Sequence, residues 1–253
     1  MAEVELTVRV LRGPARASAA GGRYETYTLR ADAGWSLLDV LEALQAGPAP
    51  DLMYRHSCHH ASCGTCALRV DGRERLACLT TVGQIAAGRL GERTGHGKDY
   101  RLPRGARAAV TLEPLRSFPV LGDLAADFAE FFGKLDAVEA DLVAARGEEA
   151  THFEHCITCG ACMSACPIVA SDLEYLGPAP LALALRGLQD PTKTGSDARR
   201  LAAADQPHGV WRCHHVFECT AACPAGVDPG QALMELRARL VRRRLGWREG
   251  ARR

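Results

Sequence analysis

The sequence predicts an α+β chain in two parts, a β-rich half over residues 1–115 and a helical half over 116–253. Two observations predict it. Near the start Val4, Leu6, Val8 and Val10 alternate with polar neighbours, as a half-buried strand requires, whereas Leu121, Leu124, Phe128, Phe131, Leu135, Val138 and Leu142 recur at helical spacing. The cysteines divide at the same place, with four between positions 58 and 78 and seven between 156 and 223.

The first strand is followed by the small-residue turn Ala19-Ala20-Gly21-Gly22 and a second alternating stretch, Tyr24 to Leu29, which together read as a hairpin. Ser36 is placed to cap a short helix with apolar face Leu37, Val40, Leu41 and Leu44, and Asp39 completes a capping box. That helix should end near Gly47-Pro48. Asp71-Gly72 predicts a hairpin between Ala67–Val70 and Glu74–Leu79, and Val110, Leu112 and Leu115 supply a last strand. Gly83–Gly105 has six glycines and no apolar period, so no element is assigned to it. In the second half Asp123 is the expected N-cap of the first helix. Breaks are expected at Gly177-Pro178-Ala179-Pro180 and Asp190-Pro191, and Leu233, Leu236 and Leu240 form a last amphipathic stripe.

Composition excludes several classes. The chain is 47% hydrophobic and 24% charged, ordinary values for a globular protein. No apolar run approaches the roughly 18 residues of a membrane span, and the acidic N-terminus has neither the basic nor the apolar region of a signal peptide. Eleven cysteines in such a chain point to a reducing cytoplasm and to metal binding rather than disulfides. Arg237–Arg253 holds eight arginines against one glutamate. A terminal cluster is not the distributed basic and aromatic surface of a nucleic-acid binder. It reads as a solvated helix end, with contact to anionic lipid or a membrane-bound partner as the sharper alternative.

Cysteine spacing carries the chemistry. Cys58, Cys63, Cys66 and Cys78 follow C-x4-C-x2-C…C, the plant-type ferredoxin spacing for a [2Fe–2S] cluster. Gly64 lets the backbone approach the sulfur atoms so that amide N–H groups can offset their charge. Structural zinc is the alternative, but zinc favours two short knuckles from separate hairpins over three cysteines in one loop. A Rieske centre would need histidine where Cys66 stands, so His59 and His60 are read as loop surface.

Cys156, Cys159, Cys162, Cys166 and Pro167 form the bacterial C-x2-C-x2-C-x3-C-P run, in which the fourth cysteine ligates the other cluster of a pair. The third group, Cys213, Cys219, Cys223 and Pro224, matches that run except that Val216 occupies the second cysteine position. Exchanging the fourth cysteines assigns Cys156, Cys159, Cys162 and Cys223 to a [4Fe–4S] cluster. Cys166, Cys213 and Cys219 remain, a three-thiolate set suited to [3Fe–4S]. No P-loop occurs, and Gly95-His96-Gly97 lacks the later glycine of a dinucleotide fingerprint.

Ser57-Cys58 through Cys63-Gly64-Thr65-Cys66-Ala67, Asp71-Gly72 and Leu76-Ala77-Cys78 resemble the N-terminal signature of the iron–sulfur subunit of succinate dehydrogenase and fumarate reductase. Glu113-Pro114-Leu115-Arg116-Ser117-Phe118-Pro119-Val120 and Asp123-Leu124 are similar to that family's interdomain connection, and both distal cysteine runs match, including the apolar residue at 216. The resemblance implies a β-grasp [2Fe–2S] domain followed by an α-helical dicluster ferredoxin domain. It implies electron transfer between succinate or fumarate, at covalent FAD in a flavoprotein subunit, and a quinone at a membrane-anchor cytochrome b-type subunit that can carry haem b. The chain would then serve the tricarboxylic acid cycle or the respiratory chain, without substrate catalysis of its own. It would sit at the cytoplasmic face of the cell membrane, peripheral through the anchor.

Pro167, Ile168 and His214 match positions near the quinone in that family. No tryptophan occurs between 166 and 210, where ubiquinone-reducing members carry one about where Ser171 stands. Menaquinone and the single-anchor bacterial branch are therefore favoured. The Gly83–Gly105 loop looks longer than the family's usual connection. The alternatives are an iron–sulfur subunit of another flavoenzyme (lactate, glycolate, glycerol-3-phosphate or heterodisulfide-reductase type) or a zinc-binding interaction module. The first usually has two complete cubane runs and no plant-type domain.

Overall fold

A computed structural model describes residues 2–13, 22–95, 97–140, 155–190 and 194–246. The chain divides into two compact units, Met1–Phe128 with Ile157–Ala161, and Ala129–Cys156 with Cys162–Arg253.

The first unit is built on a five-stranded sheet. Its strands are β1 (Glu3–Arg12), β2 (Arg23–Asp32), β3 (Ala67–Val70), β4 (Arg73–Leu76) and β5 (Ala106–Glu113), in the order β2-β1-β5-β3-β4. β1 pairs antiparallel with β2, Glu3 opposite Asp32 through Arg12 opposite Arg23, and parallel with β5, Val8 opposite Val110. The alternating Val4, Leu6, Val8 and Val10 are all fully buried, which is the face the period-2 pattern assigns to the core. Helix α1 (Leu37–Ala46) opens on the expected capping box: Ser36 N–H donates to Asp39 Oδ2 at 2.7 Å and Asp39 N–H to Ser36 Oγ at 3.2 Å. Such a cap contributes about 1 kcal/mol. The helix buries Leu37, Leu38, Val40, Leu41 and Leu44 and packs beside a 3₁₀ turn, Ala77–Leu79.

That turn ends β4 three residues before the expected strand end, because Leu37 N–H donates to Thr80 O at 2.7 Å and Val82 N–H to Trp35 O at 2.8 Å. The β3–β4 hairpin turns through Asp71 (φ 48°) and Gly72 (φ 79°), the two left-handed positions of a type I′ turn. Inside the unassigned stretch, Thr81 caps a short helix α2 (Val82–Ala86) that packs on β1 and β5. Beyond α2, Glu92 ties the loop together, receiving Lys98 Nζ at 2.7 Å and Tyr100 Oη at 2.9 Å.

Asp123 does not cap a helix. It lies at φ 43° in a turn between β6 (Val120–Gly122) and β7 (Ala125–Ala126), and helix α3 (Ala129–Ala137) begins later. Its buried carboxylate accepts from Gly13 N–H at 3.0 Å and Met53 N–H at 2.9 Å and pairs with Arg12 at 3.1 Å. A capping sequence competes with long-range donors for the same carboxylate, and here the long-range donors win. Leu121, counted in the helical stripe, is exposed on β6, and Leu142 lies outside the described residues.

The second unit is helical: α3, then α4 (Ala161–Ala165), α5 (Pro167–Ser171), α6 (Pro178–Gln189), α7 (Asp197–Ala204), α8 (Glu218–Ala221) and α9 (Pro229–Arg244). The Gly-Pro-Ala-Pro break is the start of α6. Gly177 adopts φ 91°, and Pro178 stands at the first helical position, where no N–H is needed. Every residue from Pro178 to Leu188 is buried, so α6 is the central helix of this unit, packed by α3, α7 and α9. α9 is capped by Asp228, whose side chain accepts from Gln231 N–H at 2.9 Å, and buries Leu233, Leu236 and Leu240 as the stripe requires. No helix among the described residues is long and apolar enough to cross a membrane.

Candidate iron–sulfur sites

The first cysteine group is brought together by one loop and one turn. Cys58 and Cys63 lie on the loop, Cys66 at the foot of β3, and Cys78 in the 3₁₀ turn that α1 supports. Ala77 N–H donates to Cys66 O at 3.1 Å, which holds the turn against the loop. Left-handed residues His59, Ala61 and Gly64 curl the loop, so that its N–H groups point inward at sulfur. Cys58 Sγ accepts from Ser62 N–H at 3.3 Å, and Cys63 Sγ receives Cys58 N–H at 3.5 Å and contacts Thr65 Oγ1 at 3.0 Å.

The electrostatic consequence is large. Burial raises the Cys58 pKa, but hydrogen bonds from the His60 backbone, Cys63 and Ser62 outweigh it and bring the thiol down to about 5. Cys66 falls to about 7, chiefly because the Cys78 thiol donates to it, while the same contact and then burial push Cys78 up. A loop that stabilises thiolates in this way suits a metal centre carrying negatively charged sulfur. His59 and His60 are exposed, as surface loop residues should be.

Within the second unit Cys166, Cys213 and Cys219 line one cleft, together with Val216, and that cleft also holds Pro167, Ile168, His214 and Tyr175. Cys166 follows α4 and is the N-cap residue of α5, just before Pro167; burial raises its thiol, against hydrogen bonds from the Val169 and Ile168 backbones. Cys219 is raised to about 11 by burial and then by the charge of Cys166. The loop from Cys213 to Cys219 holds two left-handed non-glycine residues, His215 at φ 55° and Phe217 at φ 62°. This conformation turns His215 N–H onto Cys213 Sγ at 3.4 Å. Three thiols and the apolar side chain of Val216 thus share one cleft.

Cys156, Cys159, Cys162 and Cys223 are buried or half-buried, and no disulfide joins any of the eleven cysteines. Cys162 rides on α4 and Cys223 follows α8. Cys159 lies in the Ile157–Ala161 segment that clusters with the first unit, and a Cβ on Gly64 would meet Cys159 Cβ and Ile157 O, each at 2.7 Å. Pro167 and His214 are exposed and Ile168 half-buried. Sequence reasoning missed Tyr175, because nothing in its spacing from the cysteines marks it.

Residues 7–133 match the model of a 2Fe-2S iron-sulfur cluster binding domain, and residues 152–227 that of a 4Fe-4S dicluster domain. The chain is 33% identical over 227 residues to the fumarate reductase iron-sulfur subunit of Mycobacterium tuberculosis, covering 83% of each. It belongs to the succinate dehydrogenase and fumarate reductase iron–sulfur subunit family. The fumarate reductase iron-sulfur subunit of an Escherichia coli O6:H1 strain is 31% identical over 83% of this chain and 82% of the relative. The succinate dehydrogenase iron-sulfur subunit of Paracoccus denitrificans is 27% identical over 87% of this chain and 83% of the relative. A chain in the Mycobacterium smegmatis Sdh1 complex shares the fold, with a TM-score of 0.69, 23% identity and coverage of 96% and 98%. As a member of this family the chain is an electron-transfer component of an oxidoreductase complex, built from a [2Fe–2S] domain followed by a dicluster domain.

Proposed function

We propose that this chain conducts electrons between a FAD-containing flavoprotein subunit and a membrane quinone, in a succinate:quinone oxidoreductase of either direction. Residues 1–115 form the [2Fe–2S] domain and 116–253 the dicluster domain. Cys58, Cys63, Cys66 and Cys78 hold [2Fe–2S], Cys156, Cys159, Cys162 and Cys223 hold [4Fe–4S], and Cys166, Cys213 and Cys219 hold [3Fe–4S]. When bound, such clusters take up and release single electrons. The chain's own contribution is placement and potential. Inward N–H groups at Cys58, Cys63 and Cys213 offset sulfur charge, and the lack of a side chain at Gly64 allows its close approach to Cys159.

The observation that carries the reading is the cleft in which Val216 sits among three cysteines. Pro167, Ile168 and His214 line the same cleft, and exposed apolar side chains flank it, Val216 at 53% and Phe217 at 40%. That surface suits a quinone and an anchor subunit, and the absence of tryptophan between 166 and 210 favours menaquinone. The complex would lie at the cytoplasmic face of the cell membrane, with haem b confined to the anchor. Low-temperature EPR of the purified complex tests this. A [3Fe–4S] signal in the oxidised state and a [2Fe–2S] signal after reduction are expected, and the absence of both overturns the reading.

A further inference from the structure

Tyr175 is 0% exposed, yet its hydroxyl completes no hydrogen bond with any described residue. Buried polar groups are nearly always paired, and phenylalanine would fill the same space without leaving a donor unmade. The hydroxyl faces the cleft of Cys166, Cys213 and Cys219. The Cys213 side chain is the hydrogen-bonding group the hydroxyl approaches, short of full hydrogen-bond geometry. A phenol is protonated at neutral pH, so the group is available as a donor.

The backbone around it is pinned from two sides. Lys134 Nζ of α3 donates to Tyr175 O at 2.9 Å and to Leu173 O, and Asp172 Oδ1 accepts Tyr175 N–H at 3.3 Å. Asp172 is itself held by Arg212 at 2.8 Å and His208 at 3.1 Å. With its backbone held and its side chain fully buried, the hydroxyl has no access to bulk water.

We infer that Tyr175 donates its O–H hydrogen bond to a sulfur atom of the cluster held by Cys166, Cys213 and Cys219, and so raises the reduction potential of that centre. The inference rests on the cluster assignment proposed above. Reduction adds negative charge to the sulfur atoms, so a fixed donor stabilises the reduced state more than the oxidised one. Tyr175 is a positioning and tuning residue and takes no electron itself.

EPR-monitored redox titration of the intact complex carrying Tyr175→Phe tests it. The three-iron signal should persist while its midpoint moves negative. At fixed potential the reduced-to-oxidised ratio should fall roughly three- to tenfold, the loss expected of one hydrogen bond, or about 28–59 mV for one electron. The [2Fe–2S] and [4Fe–4S] midpoints in the same sample should not move. 3-Fluorotyrosine at position 175 keeps the ring and strengthens the donor, so it should move the midpoint the opposite way. This second substitution decides the matter if the phenylalanine variant loses its cluster. An unmoved three-iron midpoint overturns the inference while leaving the cluster assignment intact. Absence of the three-iron signal from the unsubstituted complex overturns the assignment and this inference with it.

Discussion

A Cβ atom placed on Gly64 would lie 2.7 Å from the Cβ of Cys159, so the plant-type cysteine loop and the bacterial cysteine run meet backbone to side chain. Two segments separated by nearly a hundred residues thereby approach closely at a position that carries no side chain.

Gly64→Ala should therefore fail on two counts, the clash with Cys159 and Ile157 and the φ of 69°. The left-handed conformation alone costs an alanine about 1–2 kcal/mol. A lower melting temperature and weakened [2Fe–2S] EPR intensity are expected, and a variant with unchanged values for both would contradict the close approach.

Asp123→Ala should destabilise the first unit by about 1–3 kcal/mol, since it leaves the Gly13 and Met53 N–H groups without their acceptor, while Arg12 keeps Glu25 and Asp51. Asp123→Asn retains one acceptor and should cost less. Urea denaturation of the two variants measures the order.

Glu92 sets a pH dependence. Lys98 first, then Tyr100 and Arg89, hold its pKa down to about 2, against a smaller opposing effect of burial. A depressed carboxylate stabilises above its unfolded value, about 4.3, and that contribution is lost as pH falls toward 2. Amide exchange at Gly95 and Lys98 should be faster in Glu92→Gln than in the unsubstituted subunit at pH 7, and the difference should vanish near pH 2.

Val216→Cys should convert the three-thiolate cleft to four. Iron per chain is expected to rise by about one, with loss of the oxidised three-iron EPR signal. Retention of that signal at full intensity would place position 216 away from the vacant corner.

Several arginines of the C-terminal cluster already have structural partners. Arg244 pairs with Asp205 at 2.6 Å and stacks 4.6 Å from the Trp211 ring, while Arg239 donates to Leu188 O at 3.2 Å. Arg244→Ala should lower stability by about 0.5–1 kcal/mol in thermal denaturation. Truncation to probe a lipid or anchor contact belongs after Gly246, because cutting at Leu236 would also remove buried Leu240.

The sequence by itself determined the parts whose physics is local. Alternation buried Val4 to Val10, the Ser36–Asp39 box started α1, Asp71-Gly72 made its turn, and the cysteine spacings named the kind of centre, because chelation by one loop is a property of that loop. Tertiary structure decided what depends on partners distant in the chain. It drew Asp123 away from a helix cap to Gly13, Met53 and Arg12, set Cys166 in one cleft with Cys213 and Cys219, and left the Tyr175 hydroxyl facing sulfur. Periodicity and spacing describe neighbours along the chain. A buried carboxylate or phenol is governed by whichever donors and charges folding brings to it, and those are set only once the core has closed around them.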